Sequence, residues 1–179
     1  VTFKFFVYTF LGSILMLVAI IYIYFHTANG SFSLEAFYAT STSRSIGDWP
    51  FWLFFLAFAI KMPIFPFHTW QPDTYEQSPT AVTMVLSAVM VKMGVFGILR
   101  WLAPVLPMAT WANGDTIGTL CVVGILYASF VAMQQDDLKR LVAYSSIAHI
   151  GLMGLAIFVT SNMGIHGVMV QMFNHGVNI

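Results

Sequence analysis

Residues 3–25 (FKFFVYTFLGSILMLVAIIYIYF) contain no acidic residue and one basic residue, Lys4. About 20 such residues in a helix cross the hydrocarbon core of a bilayer. In that solvent the backbone must satisfy its own hydrogen bonds, so an apolar run of this length commits the chain to helices. Further runs of the same kind follow. The expected fold class is all-α, a polytopic transmembrane helix bundle with about six spans. They cover roughly 3–26, 49–70 (broken), 79–101, 116–133, 141–160 and 162–179. Residues 1–179 then form a single transmembrane domain, with 27–48 (HTANGSFSLEAFYATSTSRSIGD from His26 on) as an extramembrane loop in which 34–39 could make one interfacial turn. The chain opens on Val1 and stops inside an apolar pattern, so it reads as an internal fragment of a longer protein.

Composition narrows the function classes. Only 8% of the 179 residues are charged, against about 25% in a soluble domain. Seven basic and seven acidic residues cancel, which leaves no field to favour nucleic acid. A single cysteine, Cys121, excludes an intrachain disulfide and a multi-cysteine metal site; no metal or cofactor-binding residue is expected. Counting alternate sides puts Lys4, Lys139 and Arg140 on one face and Arg44 and Arg100 on the other. The positive-inside rule then places QQDDLKR (134–140) in the cytoplasm.

The second span is the defective one. Its apolar run reaches Lys61, after which Pro63 and Pro66 fall inside the helical pattern, each removing a backbone donor and crowding the preceding turn. A discontinuous helix is expected, with His68, Gln71, Asp73 and Glu76 near its far mouth. Residues 103–115, which hold Pro104, Pro107 and Asn113-Gly114, read as a short turn. Asp136, Asp137, Lys139 and Arg140 read as a solvated cap before the fifth span, or as a docking point for a partner subunit or loop. Gly94, Gly97, Gly151 and Gly154 fit close helix packing.

Four titratable residues lie at membrane depth. Lys61 is 12 residues after Trp49, roughly 18 Å along a helix at about 1.5 Å per residue, near the middle of a core about 30 Å thick. Lys92 lies 13 residues after Pro79 and eight before Arg100, so neighbouring antiparallel helices each present an amine at one level. A lysine at the bilayer centre costs roughly 2.5–3.5 kcal/mol on insertion scales and marks a pathway, a counter-ion or a ligand site. Burial disfavours a charged amine and a nearby carboxylate favours it, so a lysine balanced between them can take up and release protons. Arginine cannot. His149 and His175 fall at similar depth, and imidazole titrates in the range a relay needs. His68 and His166 lie nearer helix ends. The alternative for all four is a scaffold in which lysines and histidines only tie helices together.

The motifs KMPIFPFHTWQPDTYEQSPTAVTMVLSAVMVKMGVFGILR, DDLKRLVAYSSIAHIGL and GVMVQMFNHG closely resemble the antiporter-like proton-conducting subunit family of NADH–quinone oxidoreductase (respiratory complex I), its M-type membrane chain in particular. The resemblance implies that the chain covers the sixth to eleventh of about fourteen helices, across the join of two inverted repeats. It implies that Lys61 and Lys92 are proton-transfer residues and that His149 and His175 lead toward a second half-channel. A glutamate partner of Lys61 would precede Val1, and an exit residue would follow Ile179. The family also implies that the chain holds no cofactor: NADH, FMN, iron–sulfur clusters and quinone belong to other subunits. Its partners are the lipid bilayer, the other membrane-arm subunits and protons, with the bacterial inner membrane as location. Sodium/proton antiporter subunits and membrane-bound hydrogenase subunits share the motifs and stay open as alternatives.

Overall fold

The computed structural model describes residues 1–27, 30–41 and 48–179; Arg44, part of the charge count above, lies outside them. The regular elements among the described residues are helices: α1 (Thr2–His26), α2 (Leu34–Ser41), α3 (Trp49–Lys61), α4 (Trp70–Gln77), α5 (Thr80–Val105), α6 (Pro107–Ala112), α7 (Gly114–Ala132), α8 (Leu138–Phe158) and α9 (Asn162–Asn178). Of these, α1, α5, α7 and α8 are long and apolar enough to cross a membrane, and the chain is an integral membrane protein. With 13 and 17 residues, α3 and α9 are shorter than the roughly 20 residues of a full crossing.

Burial runs against the pattern of a soluble protein. Phe3, Phe10, Leu17 and Phe25 stand more than half exposed along α1, a face that lipid rather than water can solvate. The centre of the bundle is α3, where Phe51, Phe54, Phe55, Phe58 and Ile60 are buried. It packs between α1 and α5, while α8 packs against α7, α9 and α4.

The second crossing is interrupted for a reason visible in its hydrogen bonds. Pro63 has no N–H to give the Ala59 carbonyl, and the Ile64 N–H takes that carbonyl instead at 3.0 Å. The substitution leaves the Ile60 carbonyl without its usual donor. The indole N–H of Trp70 supplies one at 2.8 Å. Chain after the break therefore folds back onto the end of α3, through a cis Phe65–Pro66 peptide, and α4 lies inside the bundle with Trp70, Gln71 and Tyr75 fully buried.

Residues 103–115 are not the short turn expected from their prolines. Helix α5 continues to Val105, and α6 follows at once. Pro104 is tolerated because the carbonyl it cannot serve, that of Arg100, accepts the Tyr38 hydroxyl of α2 at 3.1 Å. Pro107 then opens α6, where a missing N–H costs nothing. Residues 34–39, expected as one turn, lie within the eight-residue α2.

The connection before α8 is fixed by its own cap. Asp137 accepts from the backbone N–H groups of Lys139 at 2.6 Å and Arg140 at 3.2 Å. Replacing Asp137 with alanine should cost about 1 kcal/mol and lower the thermal midpoint of the solubilised protein, whereas Asp136→Ala should leave it unchanged; equal midpoints for the two variants would remove Asp137 as the cap.

Candidate functional site

Lys92 lies halfway along α5 with 7% of its surface exposed. Its ammonium has two short contacts: to the Ser87 carbonyl at 2.6 Å and to His175 Nδ1 of α9 at 2.6 Å. The first arises from a local widening of the helix. Over Leu86–Met90 the turn opens, and the Val91 N–H bonds the Leu86 carbonyl, five residues back. The Ser87 carbonyl thereby loses its ordinary donor and turns to the lysine. Wide turns of this kind recur at functional sites.

His175 is buried, and the ring of His149 on α8 stands perpendicular to it with centroids 5.5 Å apart. Three of the four titratable residues expected at membrane depth thus meet in one cluster built from α5, α8 and α9. His149 is exposed on its other side. There it lines a cavity of about 420 Å³ with Ser145, Gln171, Asn174 and His175, and one of about 360 Å³ with Ser129 and Ser145.

Lys61 stands apart from this cluster. It closes α3, half-buried, and among the described residues its amine makes no hydrogen bond or ion pair. Its level does match that of Lys92: a Cβ built on Gly94 would come 2.9 Å from the backbone nitrogen of Met62, the residue after Lys61. Pro63 is buried and Pro66 exposed, both in the irregular segment between α3 and α4.

Several polar residues of the interior were not read as site residues. Gln71, expected near a mouth, is fully buried, as is Tyr75, and Gln71 Nε2 reaches Ser146 Oγ on α8 at 3.4 Å. Ser87 and Ser146 are also fully buried. His68, expected near a helix end, is 3% exposed, stacked on Phe65 and within 5.1 Å of the Tyr127 ring. His68 Nδ1, Gln71 Oε1, Tyr75 Oη and His175 Nε2 are buried without a hydrogen-bond partner among the described residues. The i, i+4 spacing of Gln71 and Tyr75, legible in the sequence itself, puts both on one face of a helix. His166 is exposed in the second turn of α9.

The family model of NADH:quinone oxidoreductase/Mrp antiporter transmembrane proteins matches residues 1–178. NADH-quinone oxidoreductase subunit M of Rickettsia prowazekii (strain Madrid E) is 41% identical over 97% of this chain, which spans 35% of that relative's length. Among solved structures, respiratory complex I from Thermus thermophilus with bound NADH contains a chain with a TM-score of 0.90 and 30% identity, covering 98% of this chain and 38% of its own. A membrane-bound sulfane sulfur reductase, an archaeal respiratory membrane complex, matches with a TM-score of 0.82 and 25% identity over 96% of this chain and 35% of the other. The chain belongs to the NADH:quinone oxidoreductase/Mrp antiporter transmembrane family.

Proposed function

We propose that this chain is part of a proton-translocating membrane subunit of NADH–quinone oxidoreductase, and that Lys61, Lys92, His175 and His149 carry the proton. The observation that supports the reading best is the 2.6 Å contact between Lys92 Nζ and His175 Nδ1 inside membrane-spanning helices. One proton occupies that contact. When it sits on the lysine, the ammonium donates to a neutral imidazole whose hydrogen is on Nε2. When it crosses, the lysine becomes a neutral amine and the ring an imidazolium, free to release a proton from Nε2. A positive charge then moves from α5 toward α9 and on to His149, whose far side faces the two cavities. Lys61, at the same level on the broken helix, is the amine on the entry side.

In this reading the redox chemistry, with NADH, FMN, iron–sulfur clusters and quinone, takes place in other subunits, and the partners are the neighbouring membrane-arm subunits and the lipid. The location is the bacterial inner membrane, with QQDDLKR on the cytoplasmic side. The test is His175→Gln in the full-length chain within the assembled complex. Glutamine keeps an acceptor for Lys92 but cannot carry a proton, so NADH-driven proton uptake by inverted membrane vesicles should drop severalfold while assembly is retained. Uptake equal to that of the unmodified complex would leave the histidine a tie between helices.

A second reading, sodium/proton exchange without electron transfer, is favoured by the Mrp antiporters within the matching family. Sodium dependence of the ion movement in vesicles separates the two.

A further inference from the structure

The residues at one end of the bundle form a connected set of charges with a consequence for the site. Helix α4 is eight residues long and contains a proline, WQPDTYEQ. A helix so short has little stability of its own; something outside must hold it. Lys4 of α1 donates to the Thr69 carbonyl at 2.8 Å and to Asp73 Oδ2 at 2.8 Å. Tyr8 and Thr69 pair through their hydroxyls at 3.0 Å. From the opposite side, Arg140 of α8 bonds Glu76 Oε2 at 2.8 Å and approaches Asp73 Oδ1 at 3.7 Å. Lys139 donates to the Ser78 carbonyl just past α4 at 2.8 Å. The short helix is thus gripped at its start, middle and end by cations from two long helices.

The same eight residues carry Gln71 and Tyr75 into the interior, toward Ser146 of α8 and Ser87 of α5. Ser87 is the residue whose carbonyl holds the Lys92 ammonium. The charged face and the polar face are two sides of one helix, so displacing the first displaces the second.

We infer that Lys4, Asp73, Glu76 and Arg140 form a clasp that positions α4, and that Glu76 and Arg140 act on proton movement through Gln71 and Tyr75 rather than by contact with Lys92. The inference rests on the proton-transfer reading above. The clasped groups are roughly one-third exposed, with side-chain exposures from 31% to 39%. Isolated pairs of that exposure contribute little, whereas several charges joined in a network, as Lys4, Asp73, Arg140 and Glu76 are here, contribute more.

The test uses the full-length chain in the assembled complex, with two readouts: backbone amide exchange across residues 70–78 and NADH-driven proton uptake. Arg140→Gln should speed exchange in that segment about threefold, the size expected for partly exposed ion pairs, and lower uptake, and Arg140→Lys should restore most of both. Adding Tyr75→Phe to Arg140→Gln should lower uptake no further than the more damaging single change, because both act at one place. Unchanged exchange in Arg140→Gln would overturn the clasp. Faster exchange with full uptake, or losses that multiply, would overturn its action through α4. Lys92→Met keeps the two readings distinct: it should lower uptake with exchange across 70–78 unaltered, and normal uptake in that variant would sink the proton-transfer reading while the exchange result still decides the clasp.

Discussion

Lys92→Met and Lys92→Arg should each slow proton movement through this chain about a hundredfold, the size of effect expected when a positioned acid–base group is lost. The two variants remove different things. Methionine matches the buried stem of Lys92 in length and shape but has no donor for the Ser87 carbonyl or for His175 Nδ1. Arginine retains donors and charge but does not give up its proton at any accessible pH. Were Lys92 only a clamp between α5 and α9, arginine would serve nearly as well as lysine and methionine would fail through loss of assembly. If Lys92 is a carrier, both fail with the complex intact. The measurement is NADH-driven acidification of inverted vesicles, normalised to the amount of assembled complex. Proton movement retained in Lys92→Arg would refute the carrier role.

The fold was legible where the bilayer imposes a single solution. Residues 3–25 permit only a long helix, and α1 covers them. The break after Lys61 was legible too, because Pro63 cannot give the Ala59 carbonyl an N–H. The consequence of the break was not. Nothing local says that Trp70 will return to serve the Ile60 carbonyl, and that return is what carries Gln71 and Tyr75 inside. The same limit explains residues 103–115: Pro104 reads as an interruption until Tyr38, far away in sequence, is seen to serve the Arg100 carbonyl. Long-range donors replaced local ones in both places.

The site shows a similar division. Depth along a helix placed Lys92, His149 and His175 at one level, and they do converge. Depth also grouped Lys61 with them, yet its helix ends half-buried without a partner among the described residues, since level does not specify which face a side chain occupies. The widened turn at Leu86–Met90 has no signature in LSAVM, and without it the Ser87 carbonyl would not be offered to the lysine. Lys139 and Arg140 show what a local reading leaves out. They read as part of a solvated cap, and Asp137 does cap α8. But Lys139 and Arg140 also reach Ser78 and Glu76 at the end of α4, a contact within the chain that neither reading named.

Gly94→Val should prevent the chain from accumulating in an assembled complex, an effect as large as that at Lys92 but reached through packing. A Cβ at Gly94 would stand 2.9 Å from both Cβ and the backbone nitrogen of Met62, and 3.1 Å from the Phe58 carbonyl. Two of these three atoms are backbone, and the third stays with any residue but glycine, so truncating Met62 to alanine cannot make room. Helices α3 and α5 would have to separate where Lys61 and Lys92 share a level. Overpacking costs about 1–3 kcal/mol per site and more where nothing yields; Gly94→Ala should fall in that range and Val beyond it. Gly97 offers the contrast, because a Cβ there runs into the ring of Phe58 rather than into backbone. Gly97→Ala should be substantially repaired by Phe58→Leu, whereas Gly94→Ala should not be repaired by Met62→Ala. Thermal midpoints of the solubilised complexes, with immunoblots of membrane levels, report both comparisons. A Gly94→Val complex that assembles and melts like the unmodified one would mean that the two helices are not held in contact at this crossing.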